Sequence, residues 1–247
     1  LREPSAEAYG LLNDQAALER QRIAAAWDDN GPPDAWFTYH PYYKSPDLIG
    51  APLAKAFAVP YVTAEASYSQ RRNIGIWADS QAATLAAVDQ AAVNICFTAR
   101  DRRGLLDALP RVRTAMLPPF MDTATTGFLD PAPQPGRLVT VAMMRQGNKL
   151  DSYRMLSEAL RRLLDLEWTL DIVGDGPLRA EVEAAFEGFP PGRVTFHGLK
   201  RREEVAQLLS MGAIFLWPGC REAYGLSYLE AEAAGLPVVG QADGGVP

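Results

Sequence analysis

Two carboxylates and two cations in the second half of the chain have the types and spacings that suit chemistry on a phosphorylated, hydroxyl-rich ligand. The stretch "WPGCREAYGLSYLEAEAAGLPVV" sets Glu222 just before Gly225, with Glu230 eight positions after Glu222. Gly225, Leu226 and Ser227 open an apolar-periodic run, so they stand where a helix leaves its first N–H groups unpaired and favours an anion. Upstream, "VAMMRQGNKLDS" puts Arg145 and Lys149 in the loop between a strand and the next helix. Such a pair can neutralise a diphosphate without a metal, Arg by a bidentate fork and Lys as a point charge. A carboxylate beside a phosphate is repulsive, so Glu222 and Glu230 suit neutral hydroxyls, as on sugars. Each group also has a plainer reading: Arg145 and Lys149 as solvated cations, Glu230 as a complement to the helix dipole, Glu222 as a carboxylate facing water.

These residues need elements that bring strand ends together, and the alternation of apolar runs supplies them. In the first half, residues 6–27 have helical spacing and residues 35–39 make a strand that runs into "HPYYKSPD". Helix "LIGAPLAKAF", strand "VPYVTAEAS", helix "SQAATLAAVDQA", strand "VNICFTA", helix "RDRRGLLDAL" and strand end "RTAMLPP" follow. Pro, Gly, Thr and Asp then accumulate in "PPFMDTATTGFLDPAPQPGR", which marks a linker over residues 126–137 between domains 1–125 and 138–247. In the second domain strands at 138–144, 168–173, 194–197, 213–217 and 237–240 alternate with helices at 152–165, 178–186, 203–210 and 226–234. The pattern predicts two α/β units, each a parallel sheet covered on both faces, with a cleft between them and ligands at the carboxyl ends of the strands. "IVGDGPLRAEV" has Gly174 and Gly176 but lacks the third glycine of the dinucleotide fingerprint, and reads as a tight turn with Pro177 at the first helical position.

Composition limits the function classes. A net charge of −6 and a pI near 5.1 argue against a general nucleic-acid binder and leave room for local basic clusters. Cys96 and Cys220 are far apart and lack metal-type spacing, so a reducing cytoplasm is the default. No apolar run reaches the roughly 20 residues of a membrane span, and "LREPSAEAYG" is not a signal peptide; contact with a membrane surface stays open. Walker A, HExxH, GxSxG and Asp-x-Asp signatures are absent.

The residues taken together resemble the retaining, metal-independent glycosyltransferases of family four. These have the GT-B fold, two facing Rossmann-like domains with a nucleotide-sugar in the cleft. The likeness runs from about "PDAWFTYH" to "GGVP" and is most specific in the E-x7-E motif with "EAEAAGLPVV" and "GGVP". "IVGDGP", "RVTFHG", "LPPFMD" and the pair Arg145 and Lys149 support it.

The resemblance implies that Glu222 contacts hydroxyls of the transferred sugar and that Glu230 holds the ribose. It further implies that Arg145 and Lys149, with main-chain amides of Gly225 to Ser227, take the diphosphate, and that the nucleobase rests near His197, Gly198 and Leu199. His197 fits a structural or base-stacking part better than that of a catalytic base. The donor would be a UDP or GDP sugar with no metal, and the acceptor a glycan, a lipid or a small molecule in polysaccharide or glycolipid assembly. Relatives often carry a histidine after the strand matching "VPYVTAEAS"; Glu65 and Ala66 stand here instead. His40 and Glu65 are therefore the acceptor-side candidates, Glu65 with a solvated-loop alternative. By comparison with such enzymes the chain starts after their first strand and glycine-rich loop and stops before their last elements. That leads to the expectation of a truncated region that binds donor weakly or transfers poorly. A GT-B sugar phosphorylase, a nucleotide-sugar epimerase and a non-catalytic nucleotide-binding module are the alternatives.

Overall fold

The computed structural model describes residues 5–123 and 129–242. The closing "GGVP" and residues 126–128 of the expected linker lie outside the described residues. The chain divides into two units, Leu1–Pro118 and Pro119–Pro247. The division falls before the expected linker, whose residues Ala132 and Gln134 donate N–H bonds to the carbonyls of Ser210 and Met211 in the second unit.

The first unit begins with helix α1 (Ala6–Asn30), whose Ala8 N–H is capped by the Ser5 hydroxyl and which stops at Gly31, where φ is 83° and two prolines follow. Then come β1 (Trp36–Tyr39), α2 (Gly50–Ala56), β2 (Tyr61–Ala64), a 3₁₀ turn (Gln70–Arg72), α3 (Ile76–Gln90), β3 (Val93–Cys96), α4 (Ala99–Ala108) and β4 (Thr114–Met116). The four strands are parallel and lie in the order β1-β2-β3-β4. Each right-handed crossover therefore moves the same way and sends α2, α3 and α4 to one face. On that face Tyr61, Thr63, Asn94 and Cys96 are buried, and Thr63 and Asn94 bond to each other at 2.6 Å. The other face carries Phe37 and Tyr39 at 58% and 59% exposure. Covering on both faces was expected, and among the described residues this sheet is covered on one; the one-way strand order is the reason.

The second unit is wound in both directions. β5 (Arg137–Val141), α5 (Asn148–Arg161), β6 (Thr169–Val173), α6 (Arg179–Ala185) and β7 (Val194–Gly198) run outward from the centre of the sheet. Helix α7 (Arg202–Met211) then carries the chain back to β8 (Ile214–Leu216), followed by α8 (Leu226–Ala233) and β9 (Val238–Val239). The parallel order is β7-β6-β5-β8-β9, so the winding reverses between β5 and β8. Helices consequently lie on both faces, and a continuous core including Tyr153, Leu156, Ile172, Phe215 and Trp217 fills the layers. In an open α/β sheet such a reversal leaves a crevice at the carboxyl ends of the two strands that part there.

Two local expectations change. Helix α5 starts at Asn148, four residues before the expected 152, because Gly147 adopts φ 84° and the Asp151 N–H closes the first turn on its carbonyl. Lys149 is thus in a helical turn and not in a loop. Helix α6 starts at Arg179, leaving Pro177 outside it, because residues 173–175 continue the sheet: Ala142 and Met144 donate to the carbonyls of Val173 and Asp175. A Cβ at Gly174 would sit 1.9 Å from the Ala142 carbonyl oxygen, so glycine there serves strand approach.

Candidate functional site

The crevice at the β5/β8 reversal is a cleft of about 430 Å³. β5 delivers Arg145 on its exit loop, α5 delivers Lys149, and the loop after β8 delivers Glu222 and the α8 start at Gly225, Leu226 and Ser227. Gly174 and Asp175 after β6 and Leu199 and Lys200 after β7 close the rim. Arg145 is exposed, and Leu199 is 83% exposed.

Lys149 and Glu222 are bonded to one another, Nζ to Oε2 at 2.5 Å, with side chains only 16% and 17% exposed. The ammonium also lies 5.5 Å from the centre of the Trp217 ring. A half-buried pair in low dielectric interacts more strongly than a surface one, and either partner is costly to strip of the other. The two residues that the sequence suggests for phosphate and for hydroxyls therefore hold each other across the cleft.

The loop that carries Glu222 is anchored on three sides. The Cys220 N–H donates to the Ser152 hydroxyl at 2.9 Å, and that hydroxyl donates to the Asn148 carbonyl within α5. The Tyr228 hydroxyl, buried under α8, donates to the Trp217 carbonyl at 2.9 Å. Gly225 turns the chain with φ 54°, and a Cβ there would come within 2.4 Å of the Tyr228 ring. Burial, and then the Glu222 and Cys220 charges, push the Tyr228 phenol upward, so it stays a donor. Ser152, Trp217 and Tyr228 carry no functional signal in the sequence, since a serine in a helix and aromatics in apolar elements read as packing.

Glu230 lies elsewhere. It lines an adjoining cavity of about 250 Å³ with Arg202, Val205 and Leu209, and the two spaces share Val141, Lys200 and Val205 as a wall. Burial raises its carboxyl above the ordinary range, with Arg202 offsetting part of the shift. Glu222 and Glu230 thus line adjoining spaces, with the first turn of α8 between them.

His197 does not line the cleft, and neither does Gly198. The imidazole Nε2 lies 2.6 Å from Asp171 Oδ1, while Asp171 Oδ2 accepts from Arg137 Nε at 2.6 Å. This part-buried chain ties β5, β6 and β7 together, which is the structural part expected of His197. Of the expected base site, Leu199 alone borders the cleft, joined by Lys200, which no motif in the sequence marks. Among the described residues no three His, Cys, Asp or Glu side chains converge as a metal site requires, and no helix is long and apolar enough to cross a membrane.

In the first unit His40 and Glu65 follow β1 and β2 directly and both have left-handed backbone, φ 55° and 58°. The pairings His40 N–H to Ala64 and Glu65 N–H to Ile95 hold them there at the sheet's carboxyl edge. His40 Nδ1 and Glu65 Oε1 are 3.4 Å apart without hydrogen-bond geometry. Non-glycine residues in this conformation cost energy and gather at functional sites.

Comparison with known proteins bears on the second unit by sequence and on the whole chain by fold. Residues 135–247 match the family model described as glycosyl transferases group 1. Sulfoquinovosyl transferase SQD2 of Arabidopsis thaliana is 36% identical over 92 residues, covering 36% of this chain and 18% of that protein. The GDP-mannose-dependent alpha-(1-6)-phosphatidylinositol dimannoside mannosyltransferase of Mycobacterium tuberculosis is 40% identical over 85 residues, covering 33% and 22%. The matched part thus spans about a fifth of these curated relatives. Among solved structures, the lipopolysaccharide outer core galactosyltransferase WaaB superposes with a TM-score of 0.66 at 15% identity, covering 94% of this chain and 62% of that one. Sucrose-phosphate synthase of Thermosynechococcus elongatus does so with a TM-score of 0.66 at 21% identity, covering 95% and 62%. The architecture is that of GT-B glycosyltransferases, and the unit that holds the cleft is the one whose sequence matches the group 1 family.

Proposed function

We propose that this chain is the sugar-transferring region of a retaining, metal-independent glycosyltransferase that takes a UDP or GDP sugar as donor and a glycan, lipid or small molecule as acceptor, in the cytoplasm or at its membrane face. The observation that carries the reading is the convergence of Arg145, Lys149, Glu222 and the α8 start in one cleft at the winding reversal of the family-matching unit. The E-x7-E spacing of Glu222 and Glu230 supports it.

In this reading the donor diphosphate lies against the N–H groups of Leu226 and Ser227 and is neutralised by Arg145 and Lys149. Lys149 leaves Glu222 for the phosphate, which frees the Glu222 carboxylate to accept hydroxyl protons from the transferred sugar. Glu230 takes ribose hydroxyls from its adjoining cavity. The bond from the anomeric carbon to the phosphate oxygen breaks, and charge gathers on the diphosphate, where fixed cations and amides stabilise it. The acceptor hydroxyl attacks the same face and gives its proton to the departing phosphate oxygen.

Thermal unfolding with UDP, GDP and ADP tests the site. At about 100 times its dissociation constant a nucleotide that binds stabilises by roughly 2.7 kcal/mol. The expected result is stabilisation by UDP or GDP, in the presence of a chelator, that Arg145→Ala and Glu230→Ala weaken. No response to any nucleotide, or variants that respond like the parent, would overturn the assignment; an inverted product anomer seen by NMR would overturn retention alone.

A further inference from the structure

The carboxyl edge of the first sheet has a charge that the protein as a whole does not. The net charge is −6, yet the segments that follow β1, β2 and β3, residues 40–49, 65–75 and 97–103, the second including the 3₁₀ turn and the third running into the start of α4, carry Lys44, Arg71, Arg72, Arg100, Arg102 and Arg103 against Asp47, Glu65 and Asp101. All three acids are engaged within the protein. Asp47 accepts from the N–H groups of Ile49 and Gly50 and from the Tyr61 hydroxyl, and Asp101 bonds the Thr98 hydroxyl that caps α4. Lys44, Arg71, Arg72 and Arg100 are exposed.

Aromatic rings run between these cations. The Arg72 guanidinium lies 5.5 Å from the centre of the Tyr43 ring and the Lys44 ammonium 5.8 Å from it. Tyr43 meets Trp77 and Tyr42 edge-on at 5.0 and 5.3 Å, and Tyr42 leads to His40 at 4.6 Å and so to Glu65. Cations held over rings, beside flat apolar surface and a His–Glu pair in strained backbone, match a ligand with a sugar or polyol body and an anionic group.

We infer that the acceptor taken by this unit bears a phosphate, with Arg71 and Arg72 as the groups that recognise it and Tyr43 as the ring its polyol body packs on. The inference rests on the transferase reading for the word acceptor. The binding itself belongs to the first unit, and nucleotide binding belongs to the second. The phosphate could belong to a soluble sugar phosphate or to a lipid headgroup, and the chemistry recognised is the same.

The test uses the whole chain and two readings. Binding of glucose 6-phosphate against glucose is measured by calorimetry, and co-sedimentation with phosphatidylglycerol–phosphatidylcholine vesicles is compared with phosphatidylcholine alone. The expected result is that a phosphate-bearing partner binds and its neutral counterpart does not, with the soluble or the vesicle arm identifying the source. Arg71→Glu with Arg72→Glu should weaken that binding about tenfold or more, since each removed contact is charge-assisted. Glucose binding as well as glucose 6-phosphate, an unchanged affinity in the double variant, or a nucleic-acid oligomer preferred over both would overturn the inference. Thermal response to UDP or GDP, followed in the same double variant, should be that of the parent; its loss in every protein would sink the transferase reading and leave the anion site standing.

Discussion

Glu230 is the residue whose chemistry is most open to measurement, because burial disfavours the ionised form that its proposed task uses. Its carboxyl is raised above the ordinary 4.5. Between 4.5 and the raised value the folded protein keeps a proton that the unfolded chain has released, so this group's contribution to stability falls as pH rises through that window and stays lower above it. Ribose hydroxyls donate to the ionised form, so nucleotide binding should expel the proton and weaken as pH falls through the raised value. Glu230→Gln is then expected to stabilise the free protein at neutral pH, to weaken nucleotide binding about tenfold, and to flatten its acid limb. Calorimetric titration across the acid range in parent and variant checks this; identical limbs would remove Glu230 from the ribose. A second prediction concerns the pair that meets in the cleft. Removing Lys149 alone leaves the Glu222 charge half-buried and unpaired, so Lys149→Met and Glu222→Gln should each destabilise, and together by less than their sum. The coupling expected for contacting charges is about 0.5–3 kcal/mol, read from a denaturant double-mutant cycle; additive losses would mean that the 2.5 Å contact holds nothing in solution.

At the scale of the element, the α8 start is held by a steric fit that no motif records. Gly225 is required twice, for its φ of 54° and for the space the Tyr228 ring occupies. Gly147, at φ 84°, has nothing within 4 Å of the place a Cβ would take and is required only for its backbone. Gly225→Ala should therefore cost several kcal/mol and displace the Glu222 loop, while Gly147→Ala, at φ 84° and ψ −140° in a region nearly confined to glycine, should cost about 1–3 kcal/mol and leave that loop in place. Tyr228→Leu in the Gly225→Ala background should recover part of the loss; no recovery there would refute the fit. This contrast also marks what sequence could convey. The alternation of strands and helices was legible, because apolar periodicity and Gly/Pro punctuation act locally, and so was the address of Arg145, Lys149, Glu222 and Gly225 at strand ends. Partnership was not legible. The union of Lys149 with Glu222 depends on α5 starting at Asn148, which Gly147 allows and periodicity places a turn later. The removal of His197 to Asp171 depends on how β7 lies against β6, where the register shifts and Phe196 and Gly198 pair with Ile172 and Val173 while His197 is passed over, a tertiary fact that a lone strand-end histidine does not carry.

For the molecule as a whole, the two units differ in what they bury, and that decides how the chain should unfold. Among the described residues the second unit has one connected core with Trp168, Trp217, Tyr153, Phe215 and Phe186 in it. The first has two separate clusters, one of which is mostly small side chains (Ala51, Ala54, Ala87 and Ala91 with Val59 and Tyr61). Burial of large apolar side chains contributes about 1.5–3 kcal/mol each, and alanine far less, so the first unit has the weaker driving force for a similar chain length. Its uncovered face adds to this, since Phe37 and Tyr39 lie exposed on β1, an edge strand of the sheet. Heating should therefore give two transitions, the lower one belonging to the first unit. A nucleotide that binds the β5/β8 cleft should raise the upper transition and leave the lower one in place, because linkage acts only on the unit whose native state holds the ligand. Phe37→Thr should reduce concentration-dependent association above the lower transition without moving the upper. Scanning calorimetry with hydrogen exchange followed by fragment mass assigns each transition to its strands. A single transition that shifts entirely with nucleotide would mean that the units fold as one, and that the cleft's stability is drawn from the whole chain and not from its own core.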